Sequence, residues 1–129
     1  DYFNFSQMLL DGGKFKKERF LSKKTVEFMT SNHLSKGKFL SDMALSGKWT
    51  ETTFDGVGFG LGFSVVMDTI SHQVPGSNGT YAWGGALNTA FWVDPIEKIV
   101  VVFMTQLYPS DKYPIRRELQ ILVNSALNI

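Results

Sequence analysis

The stretch Tyr81-Ala-Trp-Gly-Gly-Ala-Leu-Asn-Thr-Ala-Phe-Trp-Val-Asp-Pro95 places two residues without side chains, Gly84 and Gly85, among aromatic strand formers. Glycine inside a strand marks a point where a ligand or another backbone comes close. Other residue types capable of chemistry are sparse. His33 and His72 are the only histidines, and the chain has no cysteine. With no paired carboxylates near them they form no metal site, and both read as surface or loop residues. No Gly-x-Ser-x-Gly elbow occurs, which argues against an α/β-hydrolase nucleophile. Gly58-Phe-Gly-Leu-Gly62 has the wrong spacing for a dinucleotide loop, so a closely packed helix explains its glycines better. Asn4-Phe-Ser6 and Asn78-Gly-Thr80 match the glycosylation sequon, which matters only in a eukaryotic secretory setting.

The elements that must position these residues belong to one domain or part of one. A chain of 129 residues buries roughly 65–70% of its unfolded surface on folding. Its 43% hydrophobic and 19% charged residues are ordinary globular values. Thirteen basic against twelve acidic residues leave a net charge of +1, which gives no case for nucleic acid or an acidic substrate. No apolar run approaches the roughly 18 residues that span a membrane. Absence of cysteine excludes disulfides and thiolate catalysis but leaves periplasm and cytoplasm equally open.

Tyr2, Phe5, Met8 and Leu9 fall on one helical stripe, with Asp1 as N-cap and Gly12-Gly13 as the stop, predicting a helix over 2–11. A basic loop from Lys14 to Arg19 follows. Ser22 caps a second helix over 23–31, with Leu21 and Val26 as a hydrophobic staple. Residues 32–55 read as a long irregular segment suited to the wall of a cleft. From Gly56 the period becomes two, giving one strand over 56–68 with a bulky face (Val57, Phe59, Leu61, Phe63, Val65, Met67) and a bare one. Residues 71–79 read as a turn. Strands over 80–93 and 98–106 form a hairpin through Asp94–Lys98, and Ile99–Met104 is apolar enough to be buried on both faces. A last helix over 114–127 starts at Pro114, with Ile115, Leu119, Leu122, Val123 and Ala126 as its apolar stripe. The expected fold class is α+β, an antiparallel sheet of three or more strands packed with helices.

Several of these strings together resemble the serine β-lactamase-like hydrolases, in the branch of class C β-lactamases and penicillin-binding-protein-like esterases. Asp1-Tyr-x-x-Phe-x-Gln-Met-Leu-Leu-x-Gly-Gly13, Leu21-Ser-x-Lys-Thr-Val-Glu-x-Met-Thr30 with Asn32-His33-Leu34, Gly58-Phe-Gly-Leu-Gly-Phe63 and Phe91-Trp-Val-Asp-Pro95 carry the likeness in order along nearly the whole chain. In that likeness Trp83-Gly84-Gly85 stands at the family's Lys-Thr-Gly motif. It implies that 1–129 is the C-terminal portion of a β-lactamase/transpeptidase-like domain. Helical patterning that begins at Tyr2, directly after Asp1, also reads as a fragment or processed product.

The resemblance implies a site made of three parts: an S-x-x-K pair at a helix start, a Tyr-x-Asn or Ser-x-Asn element, and the motif strand with its oxyanion donor. Two strings here match the first two formally. Ser35-Lys-Gly-Lys38 has the S-x-x-K spacing, yet 11 Ser and 10 Lys in 129 residues supply about one such match by chance, and Gly37 interrupts it. Tyr2-Phe-Asn4 has the Y-x-N spacing, but residues two apart on a helix diverge, and Tyr2 reads as core. Both missing elements are expected upstream of Asp1. The motif strand then gives the Ala86 backbone N–H as oxyanion donor, with Trp83, Gly84 and Gly85 as substrate-binding residues and no cofactor or metal. Trp83 supplies no positive charge where the family has Lys, which favours neutral esters or amides over a β-lactam carboxylate. The expected partner of the complete enzyme is a small ester or amide, not nucleic acid or membrane. This chain by itself is expected to be catalytically inert and to self-associate through an uncovered sheet edge or apolar face. The competing reading is a small non-catalytic α+β module for ligand binding or protein interaction, closed and monomeric.

Overall fold

The computed structural model describes residues 1–44 and 55–127. Helix α1 (Tyr2–Leu10) begins with the Asp1 carbonyl accepting the Phe5 N–H at 3.1 Å, while the Asp1 side chain makes no cap bond. It stops where Gly12 and Gly13 turn to positive φ and return their N–H groups to Leu9 and Met8 at 3.0 and 2.8 Å. The basic loop closes into a miniature hairpin of β1 (Lys14–Phe15) and β2 (Glu18–Arg19). Ser22 Oγ accepts the Thr25 N–H at 2.9 Å and starts α2 (Lys23–Met29).

The segment predicted as irregular over 32–55 carries order where it is described. A 3₁₀ turn (Ser35–Gly37) leads to α3 (Leu40–Met43), started by the Asp42 carboxylate accepting the Phe39 N–H at 2.8 Å and anchored by buried Leu40. Residues 45–54 of that expected loop lie outside the described residues.

Both long strands expected from the sequence are hairpins. The strand predicted over 56–68 divides into β3 (Val57–Phe59) and β4 (Ser64–Val66), paired Val57 to Val66, Gly58 to Val65 and Phe59 to Ser64. Gly62, at φ +99°, supplies the turn, and the Gly60 N–H meets the Phe63 carbonyl at 2.8 Å. A turn shifts the parity of side chains, so the bulky face does not run through: Leu61 and Met67 are exposed. The strand predicted over 80–93 divides into β5 (Tyr81–Gly84) and β6 (Ala90–Asp94). Between the two hairpins, α4 (Thr69–His72) occupies part of the predicted turn, its N-terminus capped by Asp68.

With β7 (Ile99–Phe103) these strands form one antiparallel sheet in the order β3-β4-β5-β6-β7. The molecule is α+β, as the patterning implies. The β6–β7 turn is built by Asp94, whose Oδ1 accepts the Ile96 and Glu97 N–H groups while Oδ2 accepts the Thr80 hydroxyl at 3.1 Å. One face of the sheet packs Phe63, Val65, Tyr81, Phe91 and Val93 against Leu9 of α1 and Val26 of α2. Burial of such side chains stabilises by about 1.5–3 kcal/mol each.

Contrary to expectation, β7 is only half-buried along its length, because it ends the sheet and no further strand among the described residues pairs with its outer edge. Helix α5 (Ile115–Ser125) is tied to the opposite face: Arg117 donates to the Gln73 carbonyl at 2.8 Å, and Asn124 Nδ2 to that of Pro75 at 2.7 Å. Its expected stripe is incompletely covered, with Leu122 67% exposed.

Candidate functional site

The Trp-Gly-Gly string sits at the end of β5 and in the turn to β6, not in mid-strand. Gly85 N–H donates to the Thr89 carbonyl at 3.0 Å, and Asn88 N–H donates back to the Gly85 carbonyl at 3.0 Å. Asn88 takes the left-handed conformation (φ +67°), closing a three-residue connection, Ala86-Leu87-Asn88. This is the turn-plus-left-handed-residue pattern common in hairpins, and Asn is among the side chains that tolerate it. The Leu107 N–H ties the turn to the segment after β7 by donating to the Leu87 carbonyl at 3.0 Å. Arg116, at the start of α5, adds a charged bond from Nη2 to the Gly85 carbonyl at 2.5 Å. Partial burial lowers the Arg116 pKa.

This arrangement orients one peptide unit. A trans peptide points its C=O and the following N–H in opposite directions. The Gly85 carbonyl is turned inward to Asn88 and Arg116, so the Ala86 N–H is directed outward, away from β6. Ala86 is exposed, and its N–H meets no acceptor among the described residues. The flank it faces is open: β6 pairs with all of β5 from Tyr81 to Gly84, whereas β4 pairs only with Tyr81 and Ala82. Trp83 stands beside this open flank, half-buried, its ring edge-to-face with Phe59 at 5.1 Å. Trp83, Gly84 and Gly85 also line an open groove of about 490 Å³, mouth included, with Tyr2, Thr89 and Met104 around it.

The glycines have partly different reasons from those expected. A side chain at Gly85 would collide with the Thr89 hydroxyl. One at Gly58 would collide with the Asn32 side chain, and one at Gly60 with the Met29 carbonyl. The bare face of β3 therefore receives the exit of α2 rather than the helix flank, and Gly62 serves its turn alone.

Of the two rejected strings, Ser35-Lys-Gly-Lys38 lines no part of this groove, whereas Tyr2 does. Ser35–Gly37 is an exposed turn in which Lys36 has φ +59°. Tyr2 departs from the core placement expected for it: it is half-exposed at the mouth of the groove, edge-to-face with Phe91 at 4.9 Å. His33 is exposed and hydrogen-bonded to the Phe28 carbonyl at 2.7 Å. His72 corrects the surface reading, since it is buried at the end of α4 under α5, where the sequence shows only a turn. Sequence reasoning also missed Thr89, Asn88 and Arg116. The Leu-Asn-Thr string between two apolar runs was the available signal for the turn; Arg116, 31 residues beyond Gly85, left none.

Comparisons with known proteins agree with this architecture. Residues 19–125 match the family model described as Beta-lactamase. Two Mycobacterium tuberculosis proteins, Protein Rv1367c of strain ATCC 25618 / H37Rv and Uncharacterized protein MT1414 of strain CDC 1551 / Oshkosh, are each 31% identical over 112 residues. Those alignments take in 84% of this chain and 27% of each relative. Among solved structures, EstCE1, described as a hydrolase with promiscuous acyltransferase activity, superposes with a TM-score of 0.66 at 29% identity, over 92% of this chain and 27% of that one. Simvastatin synthase LovD from Aspergillus terreus superposes with a TM-score of 0.69 at 22% identity, over 97% of this chain and 32% of that one, a likeness of fold alone. The chain thus spans little more than a quarter of the length of the curated relatives it matches. A family-model match along most of its residues shows that the chain belongs to the beta-lactamase family.

Proposed function

We propose that this chain is the C-terminal part of a serine hydrolase acting on ester or amide bonds, to which it contributes the motif strand Trp83–Gly85 and the Ala86 N–H as one oxyanion donor. The observation that carries the reading is the outward-directed Ala86 amide at an exposed strand end whose flank β4 leaves open. Such a donor stabilises the oxygen of a tetrahedral intermediate, and removing one typically lowers the rate by about 10²–10³. EstCE1, a hydrolase at 29% identity, supports the reaction class. Trp83 gives the site an aromatic wall in place of a cation, which favours neutral esters and amides. On this reading the nucleophile and its base lie outside this chain, because Ser35 and Lys38 stand at an exposed turn and line no part of the groove beside the motif strand. The chain alone is inert.

The test compares the 129-residue chain with the natural protein that contains it, using p-nitrophenyl acetate. Turnover by the natural protein alone is the expected result. Hydrolysis by the 129-residue chain that Ser35→Ala abolishes would overturn the assignment. The competing module reading calls for a closed surface, against which stand the exposed Phe3, Met104 and Leu122.

A further inference from the structure

Gly85 and Ala86 share one peptide group, so whatever holds the Gly85 carbonyl aims the Ala86 N–H. Two donors hold it: the Asn88 N–H at 3.0 Å, within the turn, and Arg116 Nη2 at 2.5 Å, from a helix 31 residues away. The turn bond forms in any hairpin of this type and needs no particular side chain. The Arg116 bond does need one, and it brings a cation. Charge-assisted hydrogen bonds are roughly twice as strong as neutral ones. A cation on the carbonyl also draws electron density through the amide, making the N–H on the other side a stronger donor, as in any polarised hydrogen-bond chain. The guanidinium is half-buried, where desolvation disfavours its charge.

We propose that Arg116 is a positioning residue for hydrolysis: it clamps the Gly85 carbonyl so that the Ala86 N–H is both aimed at and strengthened for the developing oxyanion. The proposal rests on the reading of Ala86 as that donor, and it adds a role for α5 through its bond to the Gly85 carbonyl. On this proposal Arg116 acts through the peptide group, so its loss should lower turnover and leave substrate binding unchanged.

The test uses the natural protein that contains this chain, with p-nitrophenyl butyrate as substrate. Arg116→Ala should lower kcat about tenfold or more while KM stays within about twofold, and added guanidinium ion should restore part of the loss. Replacing the Ala86 amide by an ester, with lactic acid in place of Ala86, removes the donor itself and should lower kcat by about 10²–10³. The two changes combined should be no worse than the ester alone. If Arg116→Ala keeps its kcat while the ester variant loses it, the clamp is refuted and the oxyanion reading stands. Losses that multiply in the combined variant would equally refute the clamp, since Arg116 would then act elsewhere. An ester variant with undiminished activity, or a natural protein with no esterase activity, removes the reading on which the clamp rests. Should circular dichroism show Arg116→Ala unfolded, Arg116→Gln takes its place: a reduced kcat at constant KM supports the clamp, and wild-type kcat refutes it.

Discussion

A methyl group at position 85 would meet the Thr89 hydroxyl, so the two residues divide one small space at the mouth of the site. Gly85→Ala should destabilise the fold by about 1–3 kcal/mol, and Thr89→Ala in the same chain should recover most of it. Denaturant titration of the two single variants and the double variant measures the coupling. His72 makes a different claim about pH. Burial first, and the nearby Arg117 second, hold its pKa below the ordinary histidine value of 6.5. The folded protein then resists a proton that the unfolded chain takes up near pH 6.5, so this contribution to stability is complete above that pH. It is lost as pH falls from there through the depressed folded value. His72→Gln should flatten this acid-side slope, which thermal melts across the range would show; an unchanged slope would place the titration elsewhere.

Among the elements, the best-defined helices were legible because each carries its own punctuation: Ser22 at the start of α2, Gly12-Gly13 at the end of α1, Pro114 before α5. Ser22→Ala should cost about 1 kcal/mol, read from the same titration. Division of β3 from β4 was not legible, because alternation runs unbroken in sequence through Gly60-Leu61-Gly62, although the backbone reverses there; the β5–β6 turn offered only the Leu87-Asn88-Thr89 string. The β3 strand is further anchored by a residue far along the chain. Asn32 Oδ1 accepts the Leu34 N–H at 3.0 Å and the Phe59 N–H at 3.1 Å, while its Nδ2 donates to the Lys38 carbonyl at 3.0 Å. Asn32→Ala leaves these groups without that partner and should cost about 1–3 kcal/mol, with faster amide exchange at Phe59. The candidate motif residues were named from family likeness; the groups around Gly85 could not be, since Thr89 and Arg116 meet it only after the hairpin and α5 have formed.

At the scale of the whole molecule, the described residues leave apolar surface uncovered at the edge of β7 and on α5, where Leu122 is 67% exposed. An uncovered apolar edge strand is a template for association. The 129-residue chain should therefore form concentration-dependent oligomers in light scattering, and a monodisperse monomer at all concentrations would favour a closed module. The central claim concerns the complete site, where a serine from outside these residues meets the Ala86 amide. Its most direct test is the crystal structure of the natural protein inactivated with a fluorophosphonate, which leaves a phosphonyl oxygen where the oxyanion would stand. The labelled serine should lie outside the 129 residues, with that oxygen about 2.7–3.1 Å from the Ala86 nitrogen. A label on a serine within this chain, or an oxygen held by other donors with Ala86 N–H turned away, would contradict the account.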